Sequence, residues 1–350
     1  PHNHTPPPPS PTLRLTRRQR QMCIRDSFIE PHVLEVNDER IRAGKIIIAT
    51  GSTPIVPGDW KVFEDRIITT DEFFEQESLP SSMAVIGLGV IGLELGQSLH
   101  RLGVDVVGID MAESIGGISD PDVGKEAIQL IGKEFPLWLG MGAEVSEGEN
   151  GQLVVTAGEN SKSVDKLLVA IGRKPNLASL NLEAAGIELD DRGIPVYDRN
   201  TMQIGDSHIF IAGDVSGERP LLHEAGDEGR IAGHNAVSGS ITAFRRKTPL
   251  NITFSDPNIC QVGARFADLD PETTAVGEIR FAPVGRALIM GKNKGILRVY
   301  GDKASGRILG SEMIAPKGEN LAHLVNWAIE QGLTVGQLSV SYTHLRAHET

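Results

Sequence analysis

Apolar and polar positions along the chain fall into blocks whose period changes. Met83 to Ile86 is an unbroken apolar run of strand length, and Gly87-Leu88-Gly89-Val90-Ile91-Gly92 follows it directly. Beyond the first glycines, Ile91, Leu95, Leu99 and Leu102 recur at helical spacing, which predicts a helix that opens inside the glycine run. A second apolar strand is expected from Val104 to Ile109, closing on Asp110. Strand, glycine turn, helix and strand in that order describe a parallel α/β unit.

The flanking blocks extend this reading. Val33 to Val36 and Lys45 to Ala49 read as strands around a polar turn at Asn37-Asp38-Glu39-Arg40, and Thr50-Gly51-Ser52-Thr53-Pro54 follows them. Residues 55–80 read as a connector with a short helix near Asp71 to Gln76. A helix is expected from Asp122 to Phe135, with Val123, Ala127, Ile131 and Phe135 on one side and Pro136 ending it. Glu144–Val145, Gln152–Ala157 and Ser163–Val164 suggest a small antiparallel insertion. Lys166 to Ile171 is a further buried strand, closed by Gly172-Arg173-Lys174-Pro175-Asn176. A polar hairpin region over 177–207 precedes the strand His208 to Asp214, and a small-residue helix starts at Leu221. From residue 250 the pattern becomes α+β. It has strands at Gly295–Tyr300 and Arg307–Glu312 and a helix at Glu319–Gln331 with Leu321, Leu324, Val325, Ala328 and Ile329 on one face. No internal repeat is visible.

The glycine turn carries the first chemistry. In Gly-x-Gly-x-x-Gly the first glycine permits the tight turn, the second admits a pyrophosphate to the backbone, and the third lets helix and strand pack closely. The phosphates then meet unpaired N–H groups at the helix N-terminus. Asp110 lies where a carboxylate can accept both ribose hydroxyls, and it would repel a 2′-phosphate. Met111-Ala112-Glu113 supplies no arginine to offset that repulsion, so NAD is favoured over NADP. Thr50, Gly51 and Ser52 stand where a strand stops at small residues, either as a plain strand end or as a place for ligand contact. Gly172 ends another strand in the same way. Asp214, at a strand's C-terminal edge, is placed to hold ribityl or ribose hydroxyls. His223 leaves a solvent-facing role and a ligand role both open.

Composition narrows the classes. The 350 residues are 40% hydrophobic, 23% charged and 5% aromatic, with a net charge of −12. That balance argues against a general nucleic-acid binder, and no apolar run approaches the ~20 residues needed to span a bilayer. Two cysteines, Cys23 and Cys260, exclude a disulfide scaffold and suit a reducing, cytoplasmic compartment. Residues 1–27 differ from the rest, with four consecutive prolines and five arginines against one aspartate. A basic tail can serve as a nucleic-acid or membrane arm. Here RRQRQMCIRDS and the terminal SYTHLRAHET instead resemble strings obtained when sequencing-adaptor DNA is translated, and both ends are set aside as non-native. His344, His348 and Cys23 are accordingly not read as a metal or redox site.

In order, the chain presents ATGSTP, GLGVIGLELG, VAIGRKPN, IFIAGD, LLHEAGDEG and TFSDPNICQVG. This series resembles the pyridine nucleotide–disulfide oxidoreductases, most closely their dihydrolipoamide-oxidising branch, over about residues 28–339. The resemblance implies a Rossmann-type NAD domain (81–172) inserted in a partial FAD domain of similar α/β fold (28–80 and 173–249). A partial α+β dimerisation domain (250–339) follows, and the tails are 1–27 and 340–350. It further implies that Gly87, Leu88, Gly89, Val90, Ile91, Gly92, Leu93 and Glu94 bind NAD. Asp110 would hold the adenosine ribose, and Val145 and Gly172 would line the site. Thr50, Gly51, Ser52, Asp214, Leu222 and His223 would touch FAD. The implied assembly is a homodimer serving the lipoyl domain of a 2-oxo acid dehydrogenase complex, with no nucleic-acid or membrane partner.

Departures from the family pattern are as informative. The family's earlier glycine-rich turn, its pair of redox cysteines four residues apart and its C-terminal His-Pro base do not occur in this sequence. The expectation is therefore an internal fragment of such an enzyme, inactive in disulfide exchange and with no catalytic residue or metal ligand assigned. The same NAD core also serves soluble transhydrogenases and mercuric and glutathione reductases. The alternative class is an NAD-binding module without redox chemistry.

Overall fold

The computed structural model describes residues 26–338. Both set-aside ends, apart from Asp26 and Ser27, lie outside the described residues, as do Cys23, His344 and His348. Contacts divide the chain into two units, one of residues up to Thr53 with Arg173–Arg246, the other of Pro54–Gly172 with Lys247 onward.

The larger unit is built on a five-stranded parallel sheet. Its strands β1 (Ser82–Ile86), β2 (Asp105–Asp110), β3 (Leu137–Leu139) and β4 (Lys166–Val169) are joined at one edge by Ile67–Ile68. The spatial order is Ile67–Ile68, β4, β1, β2, β3. All five residues of β1 are buried, which is why a strand covered on both faces reads as one continuous apolar run. The chain leaves β1 toward β2 while β4 lies on its other side, so the sheet reverses direction of growth beside Gly87. Ligands of open α/β sheets bind at such a reversal.

Helix α1 (Val90–Arg101) buries Gly92, Leu93, Gly96, Gln97 and Leu99. That stripe is rotated from the expected one: Ile91 and Leu95 are half-buried and Leu102 is 69% exposed. The glycines set the rotation, because a Cβ on Gly96 would already touch Val85 and Phe135 at 3.5 Å. Helix α2 (Pro121–Ile131) stops at Gly132, short of the expected Phe135. Phe135 is nevertheless buried, in the same cluster as Leu88, Leu93 and Val106. Asp120 caps α2 by accepting from the Asp122 and Val123 N–H groups, and Pro121 opens its first turn. The insertion is a three-stranded antiparallel sheet of Glu144–Glu147, Leu153–Ala157 and Asn160–Val164.

The same unit carries an antiparallel five-stranded module. Its strands are β5 (Leu250–Thr253), β6 (Asn258–Gly263), β7 (Thr274–Arg280), β8 (Ile296–Asp302) and β9 (Ile308–Ala315), in spatial order β5-β6-β9-β8-β7. Helix α3 (Gly318–Glu330) covers it with Ala322, Val325 and Ala328. Leu324, expected on that face, is 54% exposed and lies one turn from Trp327 at 65%. Cys260 is buried in this core.

In the smaller unit Ile46–Ile48 pairs in parallel with Ile209–Ile211, and Arg173–Pro175 pairs with Ser52–Pro54. Residues Ser27–Glu30, Val33–Val36 and Glu39–Arg42 form an antiparallel sheet. Glu39 and Arg40, expected in a turn, belong to a strand whose side chains are all exposed. The turn is only Asn37-Asp38, both at positive φ (50° and 68°), as a two-residue hairpin requires. The 177–207 region holds a short 3₁₀ segment at Leu182–Ala185 and the antiparallel bridges Leu189–Pro195 and Tyr197–Ile204. The expected small-residue helix spans Leu222–Val237.

Candidate nucleotide-binding site

The tips of β1, β2 and β4 converge on the glycine turn. Gly87 has φ +93°, and a Cβ there would lie 2.5 Å from the Ala170 carbonyl oxygen. A Cβ on Gly92 would run into the Gly87 carbonyl. These two glycines are fixed by the protein's own packing. Gly89 differs: it is exposed, and a Cβ there would meet no protein atom within 4 Å. It also stands at the N-cap of α1 with no side chain capping the helix, so first-turn N–H groups remain available. A bare glycine facing open space beside such donors fits a pyrophosphate group approaching the backbone.

Asp110 closes the ring at the tip of β2. Its Oδ2 accepts from the Leu88 N–H at 2.6 Å and its Oδ1 from the Ala112 N–H at 2.8 Å. Each oxygen thus spends one lone pair on the backbone and keeps another for hydroxyl donors. The Leu88 carbonyl in turn accepts from the Gly116 N–H at 2.8 Å. The glycine turn, the carboxylate and the 111–116 segment are therefore one hydrogen-bonded arrangement. Val90 and Ile91 stand half-buried in the first turn of α1, whereas Leu93 is fully buried and acts through packing. Val145 pairs with Val155 in the insertion and packs on the cluster containing Ile86 and Ile109. Gly172 adopts φ +133° and its carbonyl accepts from the Ile55 N–H at 3.0 Å.

Glu94, on α1, is half-buried, and its Oε1 accepts from the Phe254 N–H at 2.7 Å. Burial raises its carboxyl pKa, with the Phe254 hydrogen bond opposing. Gln97, one turn on, is buried and exchanges hydrogen bonds with the Asp256 backbone at 2.8 and 3.1 Å. The antiparallel module thus grips the helix that opens in the glycine turn.

The smaller unit gathers the second set of expected residues. Ser52 Oγ donates to Asp214 Oδ2 at 2.8 Å, and Gly51 has φ +70° with no protein atom within 4 Å of a Cβ. Thr50 Oγ donates to the Asn176 carbonyl at 2.7 Å. Leu222 and His223 begin the Leu222–Val237 helix, whose N-terminus has no side-chain cap; both are exposed, Leu222 at 92%. These features fit hydroxyls and a planar polar ring edge. The one Gly-x-Gly-x-x-Gly of this sequence lies in the larger unit.

Three residues of this set were not singled out from sequence. Arg173 donates to Ser52 Oγ and to the Ser52 carbonyl, both at 2.8 Å, and Asn176 donates to the Thr50 carbonyl at 3.0 Å. Glu228, 1% exposed, accepts from the Gly213 N–H at 2.8 Å and from Arg246 at 3.4 Å. Burial raises its carboxyl pKa. The Gly-Arg-Lys-Pro-Asn string could have pointed to Arg173 and Asn176; Glu228 has no local marker.

Comparison with known proteins decides the family. The model of the pyridine nucleotide-disulphide oxidoreductases matches residues 15–229, and that of their dimerisation domain matches residues 250–345. The chain belongs to this family. Family members use FAD and NAD(P), and the mixed α/β architecture with FAD, NAD and dimerisation domains is the one expected from the motifs. A dihydrolipoyl dehydrogenase from Haloferax volcanii is 33% identical over 87% of this chain and 66% of its own length. One from Thermus scotoductus is 32% identical over 90% of this chain and 69% of its own. A mercuric reductase from Bacillus cereus is 30% identical over 89% of this chain and 50% of its own. The chain thus spans half to about two thirds of these relatives. The HOCl-induced flavoprotein disulfide reductase RclA from Escherichia coli superposes with a TM-score of 0.78 at 25% identity. It matches over 88% of this chain and 72% of its own. Among the described residues no helix is long and apolar enough to cross a membrane.

Proposed function

We propose that this chain carries the NAD-binding core of a flavoprotein that transfers electrons between dihydrolipoamide and NAD. The observation that supports the NAD assignment best is the Asp110 carboxylate, oriented by the Leu88 and Ala112 N–H groups beside the open Gly89. In this reading Gly89, Val90 and Ile91 offer backbone donors to the pyrophosphate, and Asp110 accepts both adenosine-ribose hydroxyls. Val145 and Gly172 flank the bound nucleotide, and Leu88, Gly87, Gly92 and Leu93 hold the turn. Thr50, Gly51, Ser52, Asp214, Leu222 and His223 contact FAD, and Arg173 holds Ser52 in place. Bound flavin would supply the hydride acceptor; Glu94, kept half-buried, would orient the nicotinamide.

The dihydrolipoyl dehydrogenases among the relatives support dihydrolipoamide as the parent enzyme's substrate, and the dimerisation domain supports a homodimer; a lipoyl domain as partner and a cytoplasmic location are part of the same proposal. For the chain as it stands we propose nucleotide binding without disulfide exchange. Cys260 is the free cysteine among the described residues, and burial pushes its thiol up to about 12, which keeps it from acting as a thiolate at neutral pH. The test is a purified sample examined for yellow absorbance and titrated with NADH by fluorescence. The reading expects an NADH response with little bound flavin and no lipoamide turnover. Absence of any NADH response refutes the nucleotide assignment, and substantial lipoamide turnover refutes the proposed inactivity.

A further inference from the structure

Between Asp110 and α2 the chain runs through residues 111–119, and its far end is held by carboxylates the nucleotide chemistry does not use. Glu312, on β9 of the antiparallel module, is fully buried. Its Oε2 accepts from the Ser119 N–H at 2.8 Å and the Asp120 N–H at 2.9 Å. Its Oε1 accepts from the Ser119 hydroxyl, and from the Phe266 N–H at 3.1 Å. Asp120, also buried, accepts from Arg298 Nη1 at 2.6 Å and the Tyr300 hydroxyl at 2.9 Å, besides the first N–H groups of α2. Arg298 Nη1 reaches Asp122 as well, at 2.7 Å, and its Nε faces Glu278 at 3.5 Å.

Midway, Gly116 is pinned from both sides. Its N–H donates to Leu88 in the glycine turn, and a Cβ at Gly116 would lie 3.1 Å from Ile259 of β6. The path from Glu312 and Arg298 through Ser119 and Asp120 to Gly116, Leu88 and Asp110 is continuous. Every carboxylate oxygen along it has a donor.

We infer that Glu312 and Arg298 are positioning residues for the adenosine-ribose carboxylate: the antiparallel module sets the geometry of the glycine turn and Asp110 through the 111–120 segment. Buried charges of this kind add little net stability over apolar packing, yet leaving one unpaired is costly and changes local geometry. At a joint between two modules, such buried charges give the segment a defined position. This inference rests on the nucleotide reading for its consequence, but its structural half can be read without nucleotide.

The test uses the full chain and Glu312→Gln, with Ser119→Ala and Arg298→Met as milder variants. Hydrogen exchange is followed at the Leu88, Ala112 and Gly116 amides, with Val85 and Val107 in the sheet as references. The inference expects selective loss of protection at the first three amides, in at least one variant whose core amides are unchanged. In that variant the Kd for NADH and for ADP-ribose should rise in parallel, by about threefold or more. Arg298→Lys should restore part of what Arg298→Met loses. Uniform loss of protection, no loss, or loosened amides with unchanged Kd values would overturn it. Failure of the unmodified chain to bind NADH or ADP-ribose would instead sink the nucleotide reading, and the exchange data would still decide the positioning role.

Discussion

Replacing Asp110 by alanine removes the group on which the proposed nucleotide choice depends. The hydrogen bonds from the ribose hydroxyls to an ionised acceptor would be lost, exchanged for bonds to water, a net loss of about 1.5–3 kcal/mol for the pair. The Leu88 and Ala112 N–H groups would also lose their acceptor. Part of that second cost falls on the free protein as well, where water can reach half-buried groups, so it cancels partly from the binding difference. A net loss of about 1.5–3 kcal/mol corresponds to an NADH Kd roughly 10- to 150-fold weaker. The same change removes the negative charge that repels a 2′-phosphate, so NADPH binding should fall less than NADH binding or improve. Fluorescence titrations with both nucleotides at one fixed ionic strength measure this. An NADH Kd unchanged within about twofold, or an equal loss for both nucleotides, would refute the role given to the carboxylate.

Other consequences follow from particular residues. Gly92→Ala should lower the thermal midpoint, because its methyl meets the Gly87 carbonyl and overpacking typically costs about 1–3 kcal/mol. Gly89→Ala should leave the midpoint unchanged but weaken NADH; a stability loss there would show that protein packing, not a ligand, requires the glycine. His208 stacks on His32 at 3.6 Å between ring centroids and bonds the Pro31 carbonyl, and burial lowers its pKa. A lowered folded value means the unfolded chain binds more protons. The stability that His208 contributes is therefore present above the free-histidine value of about 6.5 and is lost as pH falls through it. His208→Gln should flatten the difference in thermal midpoint between pH 7.5 and 5.5, and an identical pH profile would count against it. If the exposed Leu324–Trp327 face forms the homodimer contact, Trp327→Glu should shift the light-scattering mass toward monomer, since a truncated aromatic hot spot costs about 2 kcal/mol or more. An unchanged mass would place the contact elsewhere. In a Cys23→Ser background, Cys260 should resist thiol reagents at pH 8 in the folded chain, and rapid labelling would contradict its buried, raised-pKa state.

The central strands of the parallel sheet were legible because β1 is buried throughout and β2 over its middle four residues, and they close on a glycine and an acid, at Ile86-Gly87 and Ile109-Asp110. The edge strands Ile67–Ile68 and Leu137–Leu139 are short and only partly buried, so no apolar run marks them. Other features were not legible, for physical reasons. Glu39–Arg42 is a strand with every side chain exposed, so its polar sequence reads as a turn. The stripe on α1 was misplaced because Gly92 and Gly96, which carry no side chain to count as apolar, are the residues that approach the sheet. Leu324 follows the helical period but faces out, which periodicity alone cannot distinguish from burial. The hold on the 111–120 segment was invisible in principle. Glu312 lies 193 residues from Ser119 and Arg298 lies 178 from Asp120. No local pattern links a carboxylate on one sheet to a helix cap on another. Asp110, by contrast, was proposed from its distance to the turn, and the structure puts it at the tip of β2 accepting from the Leu88 and Ala112 N–H groups.

The most direct measurement is the titration of the purified chain with NADH and NADPH side by side. NADH should bind and NADPH should bind at least about tenfold more weakly, as an uncompensated carboxylate at the ribose site requires. Equal affinities, a preference for NADPH, or no binding of either would contradict the account.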